Sequence, residues 1–453
     1  MSFTVGRRGG GALEAVGAGL ALLVGLLLRL FQYREVPWTA PNPDEWNWAW
    51  AGLSQFLGKP STGWSIFWQL YPAAVRSPSP PPFTEPLVHP YIDAPPLFSW
   101  LVGAFAWLDG DRTVTQTAHD PTYRLLAIGL SLLTLLLLYL LGRLLVGVIP
   151  ALVGIWLLAI APISVLMGRL VAAEHVLAVM LLLSLLAIHG LRRDPRDRRW
   201  LGLLLLCCLL APLVKAPGLV IGASAVLLLA SRRHFQLALL AAAATAAGEA
   251  GALGYVALLD WHTFNAEVAQ RSSQLSGYSG YSFITAVTGF DGQHAVDGWW
   301  FLGWLALIEL LGRRRGDWDL LTVPAVVYLL AMVGFAASYA ASYGWYRITI
   351  MPLVYLAAAR FVWLAVSELS VLRLAIVAVA VLATAANFAP AFDVKVSAGL
   401  LGGVIAVAVL PGLAVMARPA ARRYALGAAC ALLALLAPLG ALEVAALSSI
   451  YGR

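Results

Sequence analysis

Pro43-Asp44-Glu45-Trp46-Asn47-Trp48-Ala49-Trp50 follows directly on the first apolar run of the chain and joins two adjacent acids to three alternate tryptophans. Tryptophan favours the boundary between lipid and water, so these carboxylates mark a membrane surface where chemistry can be done. Outward from this stretch, apolar runs recur from residue 11 almost to the end of the 453-residue chain. Apolar residues make up 61% and charged residues 12% of it, at a mean hydropathy of +0.82, which excludes an ordinary soluble globule. The composition predicts an all-α integral membrane protein. Cys207, Cys208 and Cys430 all lie in apolar runs, leaving neither a disulfide framework nor a CxxC metal site.

A bilayer core about 30 Å thick needs roughly 20 apolar residues per helix. Spans are expected near 11–31, 123–146, 149–167, 171–190, 200–214, 217–230, 235–258, 298–312, 320–340, 347–366, 371–389, 397–416 and 423–448, about thirteen in all. The first is read as a retained helix, because Arg7 and Arg8 precede it but no small-residue cleavage pattern follows. The charge of +7 is read as a topology signal. Arg192, Arg193, Arg196, Arg198 and Arg199, then Arg232 and Arg233, Arg313 to Arg315, and Arg418, Arg422 and Arg423 cluster in short loops expected to be cytoplasmic. This places the N-terminus in the cytoplasm, the C-terminus outside, and the protein in the cell (cytoplasmic) membrane. Two long segments, 34–122 and 259–297, then lie on the extracytoplasmic side of a single transmembrane domain, 1–453. Pro95 to Leu108 is too short to span and is expected to be interfacial or re-entrant.

The segment 34–122 holds eight of the seventeen tryptophans and is rich in proline, so short helices at the interface are expected there. Trp46, Trp50, Leu53 and Leu57 recur at helical spacing, a stripe for lipid or for the bundle. Two readings are open for Asp44 and Glu45. Asn42, Pro43 and Glu45 suit a capped helix start, and Asp44 is then a spare carboxylate at the positive end of a helix. Glu174, in Gly168-Arg169-Leu170-Val171-Ala172-Ala173-Glu174-His175, is an acid in an apolar setting and so a functional candidate, against a local pair with Arg169. Lys215 and Arg347 lie at turns facing the same side, against the alternative that each snorkels to lipid headgroups.

The order of these motifs resembles the GT-C superfamily of polyprenyl-phosphate-dependent glycosyltransferases, in the branch of bacterial aminoarabinose transferases and protein O-mannosyltransferases. The matching pieces are Pro43-Asp44-Glu45, Tyr91-Ile92-Asp93-Ala94-Pro95-Pro96-Leu97, and Arg124 opening a helix that ends Leu140-Leu141-Gly142-Arg143. Gly168-Arg169 with Glu174, Lys215 before Gly218, and Tyr346-Arg347 before Pro352 follow in order. Residues 1–230 carry the likeness, and 231–340 match in hydropathy only. The resemblance implies a GT-C fold with Asp44 as principal catalytic carboxylate, Glu45 beside it and Glu174 in the second acidic position. It places Lys215, Arg347, Arg169 and Arg124 near the donor phosphate, with Tyr91, Asp93, His175 and Tyr346 on loops near the site. Glu174 stands where several relatives have aspartate, and Ala94 where aminoarabinose transferases have lysine. No periplasmic C-terminal domain is expected.

The implied function is transfer of a sugar from a polyprenyl-phosphate donor to an acceptor hydroxyl of a glycan, glycolipid or protein, with inversion and without nucleic acid. Asp44 is the expected base, and fixed cations stabilise the leaving phosphate. No cofactor is required by this reading, although Asp44 and Glu174 could share Mg²⁺ or Mn²⁺, as in the oligosaccharyltransferase branch. His89, His175, His262 and His294 lack partners at ligand spacing and read as loop histidines. The rivals are a transporter or flippase of lipid-linked sugars, with Glu249 as a proton-relay candidate, and an inactive GT-C-like subunit. The absence of pseudo-symmetric halves disfavours the transporter. Ser272 to Ser282, with Gly277 and Gly280, has lid-like composition, and Tyr278, Tyr281, Asp291 and Trp299 lie near it.

Overall fold

The computed structural model describes residues 10–37, 44–273, 298–312, 317–335, 344–388 and 397–448. Asn42 and Pro43, the arginines 313–315 and most of the expected lid, including Tyr278, Tyr281 and Asp291, lie outside these residues.

Each expected span overlaps a helix among the described residues. The chain runs through α1 (Gly10–Leu30), α2 (Asp44–Phe56), α3 (Pro96–Asp109), α4 (Val114–His119), α5 (Arg124–Leu145), α6 (Val148–Ile160), α7 (Pro162–Met167), α8 (Glu174–Arg193) and α9 (Arg198–Val214). It continues through α10 (Leu219–Ala230), α11 (Phe235–Ser273), α12 (Gly298–Leu311), α13 (Asp319–Phe335), α14 (Met351–Glu368), α15 (Val371–Phe388), α16 (Ala398–Ala417), α17 (Arg422–Ala434) and α18 (Leu436–Ala445). Among the described residues, six helices are long and apolar enough to cross a membrane, and six more are apolar but shorter. The protein is a multi-pass membrane protein. α14 is its central helix, packed on α6, α12 and α15. α1 instead turns Leu13, Val16, Leu20, Leu23 and Leu27 outward, an apolar stripe that suits lipid.

Two expected spans are interrupted and a third is prolonged. Residues 149–167 break at Ala161, which is extended because Pro162 follows it. The C-terminal carbonyls of α6 are thereby left without intrahelical partners, and Arg29 fills the gap. Its Nη1 donates to Ala159 O at 3.1 Å, Nη2 to Leu158 O at 3.2 Å and Ser164 Oγ at 3.1 Å, and Nε to Ser131 Oγ at 2.8 Å. Residues 423–448 divide into α17 and α18. The span 235–258 runs on to residue 273, so the described start of the second long segment is helix rather than loop. A non-helical Asp260 kinks it. Asp260 accepts from Thr263 N–H at 3.0 Å and Thr263 Oγ1–H at 2.6 Å, which caps the helix that restarts there.

The segment between α1 and α5 folds as a cap. A small antiparallel sheet, β1 (Gly63–Trp64), β2 (Arg76–Ser77) and β3 (Leu87–Val88) in the order β1-β3-β2, lies between α2 and α3. α2 is buried from Glu45 to Ser54, so its tryptophan stripe meets protein rather than lipid. α3, at fourteen residues, is too short to span, as expected.

α2 and α3 cross at Gly52 and Gly103. A Cβ on Gly52 would lie 1.8 Å from Ser99 O, and one on Gly103 would lie 2.4 Å from Gly52 C. Backbone, not a flexible side chain, blocks both positions. Gly52→Ala is therefore expected to destabilise the protein by about 1–3 kcal/mol, seen as a lower thermal unfolding midpoint in detergent. Gly129→Ala, with open space at its Cβ, should leave it unchanged. Equal midpoints for the two variants would show that the crossing is not tight.

Candidate active site

The site forms where three helix ends meet the stretch 168–173, which is not helical. That stretch leaves Val171 N–H unspent, and Glu45 Oε1 accepts it at 3.0 Å. Arg124 completes the junction. Its Nη2 lies 2.5 Å from Glu45 Oε2, its Nε bridges both carboxylate oxygens at 3.1 and 3.2 Å, and its remaining donors reach Tyr33 O and Pro37 O. Both side chains are fully buried. The resemblance set Glu45 among the catalytic acids and Arg124 at the donor phosphate. The structure spends them on each other, because an arginine in a dry bundle needs acceptors on every face of its guanidinium.

Arg169 is also fully buried, and points to the end of α1, donating to Leu28 O at 2.7 Å and to Val36 O at 3.5 Å. It pairs with neither Glu174 nor the pocket. His175 is buried, with Nε2 3.0 Å from Met167 O, and fixes the turn before α8. Arg347 is buried with its Cζ 5.1 Å above the Trp300 ring, and it is not among the described residues that line the pocket.

Asp44, Glu174 and Lys215 do converge. They line one pocket with Trp48, Trp345 and residues 170–172. α9 ends at Val214, and Lys215 is extended, φ −168° and ψ 150°, which turns its side chain across to α8. The following tight turn depends on Gly218, whose Cβ would lie 2.1 Å from Ala211 O. Lys215 Nζ donates to Glu174 Oε1 at 2.6 Å and lies 4.6 Å over the Tyr346 ring. Tyr328 OH holds that ring's segment by donating to Tyr346 O at 2.6 Å. Glu174 is fully buried, and its Oε2 has no hydrogen-bond partner among the described residues. Burial pushes the Asp44 carboxyl up to about 6, with Glu174, Asp93 and Glu45 adding to the shift and Lys215 opposing it.

Asp93 and Tyr91 stand in the cap. Asp93 accepts from Ser65 Oγ at 2.8 Å and lies 3.3 Å from Tyr71 OH, which donates to the buried Glu267 Oε1 at 2.9 Å. Tyr91 packs with Ala51, Tyr71, Val88, Ile92 and Val256. These contacts dock the cap on the far part of α11. The sequence reading missed Arg29, Tyr71 and Glu267. An acid eight residues past an apolar run was the available signal for Glu267, and nothing local distinguished Arg29 from a helix-end arginine.

Of the pair Asp44 and Glu174, the second is engaged by the Lys215 ammonium. The described residues hold no group of three acids, histidines or cysteines able to hold a metal ion.

The backbone is similar to that of ArnT from Cupriavidus metallidurans bound to undecaprenyl phosphate, with a TM-score of 0.58 and 17% identity over 97% of this chain and 77% of that one. The apo state of the same protein gives 0.56 and 17% over 98% and 78%. The chain has the GT-C fold. Within that fold, residues 93–248 match the family model described as dolichyl-phosphate-mannose-protein mannosyltransferase. This matched part of the GT-C fold contains Asp93, Arg124, Arg169, Glu174 and Lys215 but not Asp44 or Arg347. No curated protein sequence matches the chain significantly.

Proposed function

We propose that this GT-C protein is a glycosyltransferase that moves a sugar from a polyprenyl-phosphate donor to an acceptor hydroxyl. The observation that carries the reading is the convergence of the Asp44 carboxylate and the Lys215 ammonium on one pocket. The acceptor O–H gives its proton to Asp44 as its oxygen bonds the anomeric carbon. The bond from that carbon to the phosphate oxygen breaks on the opposite face, and the polyprenyl phosphate leaves against Lys215. One in-line displacement inverts the anomeric centre. Transfer requires no bound metal, because Lys215 supplies the positive charge. The undecaprenyl phosphate of the similar ArnT structure and the mannosyl-phosphate family match support a lipid-linked donor.

The pocket is assigned to the extracytoplasmic side. Glu174 opens α8 and Arg192 and Arg193 close it, and a twenty-residue helix is about 30 Å long. Arg192 and Arg232 meet Asp317 and Asp319 at that opposite end, with Arg192 Nη2 2.6 Å from Asp319 Oδ2. Arginine at that end suits the cytoplasm.

Purified protein with a panel of radiolabelled polyprenyl-phosphate sugars and membrane extracts tests the reading. Transfer from one donor, with an inverted anomer by NMR and undiminished by EDTA, is expected; no transfer from any donor rejects it. The pH profile is a separate prediction. A base held up to about 6 is protonated below that pH, so the rate should rise about tenfold per pH unit below 6 and level off above it. A rate independent of pH between 5 and 7 would exclude Asp44 as the base.

A further inference from the structure

Lys215 is the one cation among the described residues lining the pocket, and it is already engaged. Its ammonium lies 2.6 Å from a carboxylate that is itself fully buried, and a tyrosine ring covers it at 4.6 Å. The open space beside them is about 10 Å³, about enough for one water molecule. A phosphate group that takes up this ammonium must therefore compete with the Glu174 carboxylate for it. Moreover, any phosphate reaching Lys215 comes beside Glu174, and two anions sharing one ammonium in a dry cavity repel each other.

We propose, resting on the glycosyltransferase reading, that Glu174 is the resting counter-ion of Lys215, and that the donor phosphate enters by taking Lys215 from it. The pair sets a threshold for binding. A ligand without an anionic group at this position cannot open it, so Glu174 selects for the phosphate by competing with it. Tyr346 keeps Lys215 in place during the exchange, because its ring face attracts the ammonium whichever anion is present. After the exchange Glu174 Oε1 is released from Lys215 as a hydrogen-bond acceptor.

Equilibrium binding of undecaprenyl phosphate in detergent with EDTA tests the exchange, since this probe carries the phosphate without a sugar. Glu174→Gln removes the competitor and is expected to tighten binding by about tenfold, whereas Lys215→Gln weakens it by about tenfold. The gain from Glu174→Gln should fall to about twofold or less in the Lys215→Gln background. Weaker or unchanged binding by Glu174→Gln overturns the proposal. An equal gain in both backgrounds also overturns it, because that is simple charge relief. Wild-type protein that does not bind the probe rejects the donor reading together with the exchange, whereas binding without these dependences rejects the exchange alone. A structure of the wild-type complex decides the matter independently of any variant: the ammonium should be on a phosphate oxygen and more than about 4 Å from Glu174, and a retained pair overturns the proposal.

Discussion

Asp44→Asn is expected to lower sugar transfer by roughly a hundredfold to ten-thousandfold, the range for a lost acid–base catalyst. Asparagine keeps the size and the first position of α2 but cannot take the acceptor's proton at neutral pH. The loss should fall on the rate at saturating donor, since Asp44 does not hold the phosphate in the proposed mechanism. Single-turnover transfer with donor in excess reads it directly. A variant that transfers at more than about a tenth of the wild-type rate would keep the enzyme and remove Asp44 as its base. The acid limb of the pH profile should vanish from any residual rate.

The second large effect concerns stability. Glu45→Gln leaves Arg124 buried beside a neutral amide, and losing one partner of a buried ion pair costs about 3–5 kcal/mol. The junction of α2, α5 and residue 171 rests on that pair, so the variant should unfold at a lower temperature and protect the amides of residues 168–173 less in hydrogen exchange. The double variant Glu45→Met, Arg124→Met should be less destabilised than the sum of the two singles. Additive single effects with no change in the unfolding midpoint, but lost transfer, would return Glu45 to the catalytic group. The chemistry of adjacent acids thus separates cleanly: one faces the pocket, and its neighbour faces an arginine.

That separation shows how much of the site was legible. Asp44, Glu174 and Lys215 were found because a charged side chain near or within apolar sequence is costly and therefore informative wherever it stands. The resemblance placed Arg124, Arg169 and Arg347 near the donor phosphate as well, and motif order does not show which partner each one meets. A long basic side chain reaches as far toward a carbonyl or a carboxylate inside the bundle as toward a pocket. Arg124 finds Glu45 79 positions away, and Arg29 finds Ser131 102 positions away. Neither pairing has any signature in local sequence.

The sequence by itself determined the membrane class, the order and approximate limits of the helices, and the acids near which the pocket forms. Hydropathy is a sum over neighbouring residues, and the bilayer imposes it on each segment separately, so these properties are readable one window at a time. Only the tertiary structure decided that Pro162 frees the α6 carbonyls for Arg29, that α11 kinks and restarts at Asp260, and that Gly52 and Gly103 bring α2 onto α3. It alone decided which cation faces Glu174. Hydrogen bonds and ion pairs in a water-poor interior depend on distances of a few ångströms between segments far apart in the chain, and packing of the whole bundle sets those distances.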